Sequence, residues 1–72
     1  MSNLNDYNAV IRKDGDWWIG WIEEVPGVNC QGHNRDELIS NLKEALAEAI
    51  ELNREEARQA AGESFEEIAI QA

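Results

Sequence analysis

Two short runs rich in apolar residues lie early in the chain, and apolar residues then recur every three to four positions through its middle. The first run, Tyr7 to Lys13, reads as a strand centred on Val10 and Ile11. The second, Trp17 to Glu23, is rich in aromatic and β-branched residues and reads as its partner. Asp14-Gly15 lies between them as a two-residue hairpin signal, because both residues tolerate the positive φ of a type I′ turn. That turn predicts Lys13 opposite Asp16, Arg12 opposite Trp17, Ile11 opposite Trp18, Val10 opposite Ile19, Ala9 opposite Gly20 and Asn8 opposite Trp21. Paired residues share a face, and so do alternate pairs. One face then carries Tyr7, Ala9, Ile11, Trp18, Gly20 and Ile22, the other Asn8, Val10, Arg12, Trp17, Ile19 and Trp21. The first is assigned to a covering helix, since Ala9 and Gly20 leave room for close approach.

Val25-Pro26-Gly27 turns the chain, because proline fixes φ and donates no hydrogen bond. Val28 to Gly32 is expected as a short third strand. Asn34, with Glu37 three residues on and Asp36 in the first turn, fits a helix start. The helix is expected from Arg35 to Ala61, stopped by Gly62. Leu38, Leu42, Ala45, Leu46, Ala49 and Ile50 follow a 3.6-residue period, and Glu44, Glu48, Glu51 and Glu55 occupy the opposite face. Past Leu52 the apolar stripe degrades, with Asn53 and Glu56 at core-facing angles. The first half therefore packs on the sheet, and the second projects from it or meets another chain. Phe65 to Gln71 reads as a last strand with Ile68 and Ile70 inward, or Ser64-Phe-Glu-Glu67 caps a short helix. The pattern sums to an α+β domain, β-β-β-α-β, an antiparallel sheet packed on one long helix. It fills residues 1–72 as a single domain, with 1–6 expected to fray.

Size sharpens this picture. A chain of 72 residues hides only about 60% of its unfolded surface, and small domains add disulfides, a metal or a partner chain. Cys30 is the only cysteine and His33 the only histidine, which removes an internal disulfide and a four-ligand zinc site. No metal or other cofactor is expected, and association with another chain remains as the supplement. The tryptophans indicate where. Trp17, Trp18 and Trp21 put more bulk on one strand than one helix can cover. Trp18 is assigned to the core. Val10, Arg12, Trp17, Ile19 and Trp21 are assigned to a protein interface, since a large exposed apolar patch marks an interaction site.

Charge narrows the partner. Fifteen acidic against 6 basic residues give a formal net charge of −9, which argues against nucleic acid and anionic membrane as direct ligands. A basic protein would be steered in, although solubility alone also explains such a balance. The first residues lack a basic start and an apolar core segment, and no stretch approaches a membrane span. With a free cysteine, this fits a cytoplasmic protein. Cys30 on a short strand reads as a small buried residue, and His33 as a loop residue making one hydrogen bond.

The block from Gly15 to Gly32 with the helix start resembles the HicB-like antitoxin family. An aromatic strand leads into Glu24-Val-Pro-Gly27, a short strand ends in Gln31-Gly32, and a helix follows with Asp36-Glu37-Leu38 and Asn41-Leu42-Lys-Glu-Ala45. The pattern covers roughly Tyr7 to Ala57. The resemblance implies a partial RNase H-like fold without catalytic activity. It implies pairing with a small basic mRNA-cleaving toxin, HicA-like, and self-association into dimers or larger assemblies. Many family members add a C-terminal DNA-binding module. No such motif follows the helix in this sequence, so direct DNA binding is not expected.

An RNase H-like fold also raises metal-dependent nuclease chemistry, which clusters carboxylates around a cation. The strands offer only Asp14, Asp16, Glu23 and Glu24, in turns or at a strand end, and no catalytic residue is assigned. The run Glu44, Glu48, Glu51, Glu55 fits a solvated face, or an acidic surface facing the toxin's basic groove. The expected function is inhibitory binding of such a toxin. The alternative is a stand-alone oligomeric domain of the same fold, without a toxin partner.

Overall fold

The computed structural model describes residues 7–70, so the fraying expected of 1–6 and the end of the expected last strand at Gln71 lie outside the described residues. Three strands, β1 (Ala9–Asp14), β2 (Trp17–Ile22) and β3 (Asn29–Gly32), precede one helix, α1 (Arg35–Ala61). The sheet is antiparallel in the order β1-β2-β3.

The hairpin turn is Gly15-Asp16, one residue later than expected, and this corrects the register. Asp14 pairs with Trp17, Lys13 with Trp18, Arg12 with Ile19, Ile11 with Gly20, Val10 with Trp21 and Ala9 with Ile22. Gly15 has φ 62°, and no described non-glycine residue has positive φ. Glycine alone in the first central position selects the type II′ geometry, whereas the expected type I′ turn would have required positive φ at Asp14 as well. Moving the turn by one residue slides each partner by two. Strand faces have period two, so the division of side chains between faces is unchanged.

Val25-Pro26-Gly27-Val28 closes as a β-turn, with the Val28 N–H donating to the Val25 carbonyl at 3.3 Å. Gly27, at φ 89°, takes the third position, which suits glycine in a type II turn after proline. The Asn34 side chain accepts from the Glu37 N–H at 2.8 Å and caps α1, and the Gly62 N–H donates to the Arg58 carbonyl at its other end.

The core is small: Ile22, Val28, Leu38 and Leu42 are buried, with Ile11, Trp18, Val25, Cys30, Ala45, Leu46 and Ala49 packed round them. Gly32 backs onto Leu38 and Gly20 onto Leu42, so α1 runs alongside β2 and against the direction of β1 and β3. Residues 51–61 of α1 are all exposed, Leu52 included at 56%. The helix outruns the sheet, and the described part is elongated, 50 × 29 × 15 Å.

The expected fourth strand is absent among the described residues: 65–70 forms no ladder and stays exposed. A helix of 27 residues is roughly 40 Å long, about twice a six-residue strand. It sets its C-terminal segment down beyond the sheet, where no strand is available to pair. No described helix is long and apolar enough to cross a membrane.

Candidate protein-binding surfaces

The sheet face turned away from α1 collects five of the residues singled out from the sequence. Val10, Arg12 and Ile19 lie on it with Trp17 and Trp21, because all five share one pleat parity in the observed register. Val10 is 51% exposed, Trp21 44% and Trp17 40%, whereas Ile19 between them is half-buried. Trp18, one residue out of phase, turns inward against the core. Beside Trp21 and Ile19 the face sinks into a shallow depression of about 380 Å³, bounded by Asn29 and Gln31 on β3. Apolar floor with amide groups at the margin is the chemistry of a protein contact rather than of a reaction centre.

Sequence reasoning missed that His33 belongs to this surface. Its ring lies 4.4 Å from that of Trp17, centroid to centroid, at 36°. The β2–β3 ladder places it there: its last pair is Trp18 with Gly32, so the residues one step beyond, Trp17 and His33, come side by side. Nδ1 of His33 stands 3.2 Å from Glu37 Oε1, which ties the imidazole to the first turn of α1. The isolated histidine carried no signal of this. Only the register of the third strand reveals it.

The second surface is the outer side of α1. Glu44, Glu48, Glu51 and Glu55 are exposed there, and none forms an ion pair among the described residues. At 100° per residue these four centre opposite Leu38, Leu42 and Leu46. The acidic face and the tryptophan face therefore stand back to back, separated by helix and sheet. A single compact partner reaches one of them, not both.

The remaining acids do other things. Glu24 clamps the hairpin: Oε1 accepts the Asn8 backbone N–H at 2.7 Å and Oε2 accepts its side-chain amide at 2.8 Å. Those bonds, the backbone one foremost, hold the Glu24 carboxyl below its ordinary range. Asp14 ends β1 and Asp16 sits in the turn. Among the described residues no three His, Cys, Asp or Glu side chains are grouped to hold a metal ion. Burial pushes the Cys30 thiol up, away from the thiolate form a nucleophile needs.

In comparisons with protein-family models, curated proteins and solved structures, nothing matches this chain.

Proposed function

We propose that this chain is a HicB-like, non-catalytic inhibitory binding protein that neutralises a small basic mRNA-cleaving toxin by protein–protein contact. The reading rests on the resemblance in Gly15–Gly32 and the helix start, and on one observation: two tryptophans and a valine stand exposed on one face of the sheet. Exposed indoles on a regular element are costly to solvate and strong at an interface. The acidic face of α1 supplies the attraction for a basic toxin, and the tryptophan face supplies the contact with a second copy. A charge of −9 accelerates encounter with a cationic partner and repels nucleic acid.

A second reading shares the tryptophan face: a stand-alone oligomeric domain without a toxin. The two separate in one experiment. Purified chain is titrated into an mRNA-cleavage assay run by a HicA-like toxin, beside the variant Glu44→Gln, Glu48→Gln, Glu51→Gln, Glu55→Gln. Stoichiometric inhibition that the quadruple variant loses supports the antitoxin reading. Cleavage undiminished by the parent chain at micromolar concentration leaves the stand-alone domain.

A further inference from the structure

The two edges of the sheet differ. The Ile22 N–H donates to the Val28 carbonyl, which fixes the β2–β3 ladder so that Gln31 turns its carbonyl outward. The Asn41 side chain, reaching over from α1, donates to that carbonyl at 3.0 Å. On the other side the Glu23 N–H donates to the Asn8 carbonyl. By alternation, Val10, Arg12 and Asp14 bond to β2, and Ala9, Ile11 and Lys13 turn their N–H and C=O groups outward. Among the described residues no backbone group pairs with that outer row. Next to it a cleft of about 220 Å³ opens between Tyr7, Ala9 and Ile22 on one side and Ile39, Leu42 and Leu46 on the other.

The chain also carries an unpaired segment of the same length. Residues 65–70, Phe-Glu-Glu-Ile-Ala-Ile, match the six of β1, and Phe65, Ile68 and Ile70 are 46%, 71% and 84% exposed. Laid antiparallel to β1 with Ile70 opposite Ala9, the segment puts Ile68 opposite Ile11, Glu67 opposite Arg12 and Glu66 opposite Lys13. Both charged pairs are then of opposite sign. Ile68 and Ile70 fall on the helix side of the sheet, with Ile70 beside the cleft. Laid parallel with Ile68 again beside Ile11, the segment puts Glu66 beside Ala9, Glu67 beside Val10 and Ile70 beside Lys13, and both charged pairs are lost.

The chain cannot make the antiparallel pairing with itself by simple return. Because α1 runs against β1, a segment folding back from Gly62 travels in the direction of β1. Residues 65–67 already do so, lying against Arg54, Ala57 and Ala61, with the Arg58 Nε donating to Glu67 Oε1 at 3.1 Å. A second copy related by a two-fold axis presents its β1 in the opposite sense. The geometry points to reciprocal exchange of C-terminal arms, in which residues 65–70 of each copy add a fourth, antiparallel strand to the free β1 edge of the other. Addition of a strand to an open edge is a general mode of recognition, and a two-fold pair closes it. This contact takes only Arg12 from the margin of the tryptophan face, uses neither Trp17 nor Trp21 nor the acidic face, and stands whether or not a toxin is bound.

The test is a disulfide at the pair predicted not to be hydrogen-bonded, Arg12 with Glu67, where opposed Cα atoms lie about 4.5 Å apart and satisfy disulfide geometry. The full chain carrying Arg12→Cys, Glu67→Cys and Cys30→Ala is oxidised at micromolar concentration. The expected product is a covalent dimer on a non-reducing gel, absent when either new cysteine is left out. A monomer closed by an internal disulfide would show the segment pairing with its own β1, and failure to cross-link would show no pairing; both overturn the exchange. In parallel, Glu66→Lys with Glu67→Arg should weaken dimerisation about tenfold or more in sedimentation, and adding Arg12→Glu with Lys13→Glu should restore it. Weakening without restoration counts against this register. Trp17→Ala with Trp21→Ala should leave the cross-link intact, which separates a failure here from a failure of the tryptophan face.

Discussion

Trp17 and His33 stack with ring centroids 4.4 Å apart, so the one histidine of the chain lies along the margin of its exposed tryptophan face. The imidazole is fixed between the indole and Glu37, and it shields one side of Trp17. His33→Ala should leave the fold intact, since its side chain is 70% exposed, and should cost about 1 kcal/mol or less. Trp17 should become more accessible, read as increased acrylamide quenching in a Trp18→Phe, Trp21→Phe background. Unchanged quenching would remove His33 from this surface.

Two glycines permit the helix to lie against the sheet, and they differ in what an added methyl would strike. At Gly20 a β-carbon would stand 2.8 Å from Ile11 Cγ2 and 3.1 Å from Leu42 Cδ1, both ends of movable side chains, with the Val10 carbonyl at 3.2 Å. At Gly32 it would stand 2.7 Å from the backbone nitrogen of Leu38 and 3.0 Å from its Cα. Side chains give and backbone does not. Gly20→Ala should cost about 1–3 kcal/mol in urea denaturation, the usual range for overpacking. Gly32→Ala should cost more, because the first turns of α1 must lift from β3. The reverse order would mean that the helix is not seated on Gly32.

Much of this frame was legible in the chain. Asn34, Arg35, Ala61 and Gly62 mark the helix ends because capping is local chemistry, written in adjacent residues. Face membership of the tryptophans was equally legible, since it depends only on parity. The register was not: Asp14-Gly15 and Gly15-Asp16 are both acceptable turns, and the choice depends on which residue carries the positive φ. The strand expected at Phe65 illustrates a different limit. Ile68 and Ile70 do share one strand face, but pairing needs a neighbour, and no local pattern records how far a 27-residue helix carries the segment from its own sheet. The contact of His33 with Trp17 had no signal at all, because it depends on the register in which β3 pairs with β2.

If the tryptophan face is a self-contact, its loss should be separable from folding. Trp17→Ala with Trp21→Ala removes bulk from an exposed surface while Trp18 stays in the core. The far-ultraviolet circular dichroism should be unchanged. Each truncation at a hot spot costs about 2 kcal/mol or more, so association through this face should fall by well over tenfold in concentration-dependent sedimentation. An assembly of unaltered size and affinity would take the function away from this surface.

Acid should release the clamp at the hairpin base. Glu24 accepts two bonds from Asn8, and these hold its carboxyl below the range it has in the unfolded chain. A depressed folded pKa means that the unfolded state binds the proton more readily. The clamp's contribution is therefore complete above the unfolded value, about 4.3, and is lost as pH falls from there through the lower folded value. Glu24→Gln retains an oxygen for one bond and has no proton to gain. Urea midpoints taken from pH 6 to pH 3 should fall more steeply for the parent chain than for Glu24→Gln, with the curves parallel above about pH 5.5. The other carboxylates contribute equally to both curves and cancel in the difference. Parallel curves through the acid range would show that Asn8 and Glu24 do not hold each other in solution.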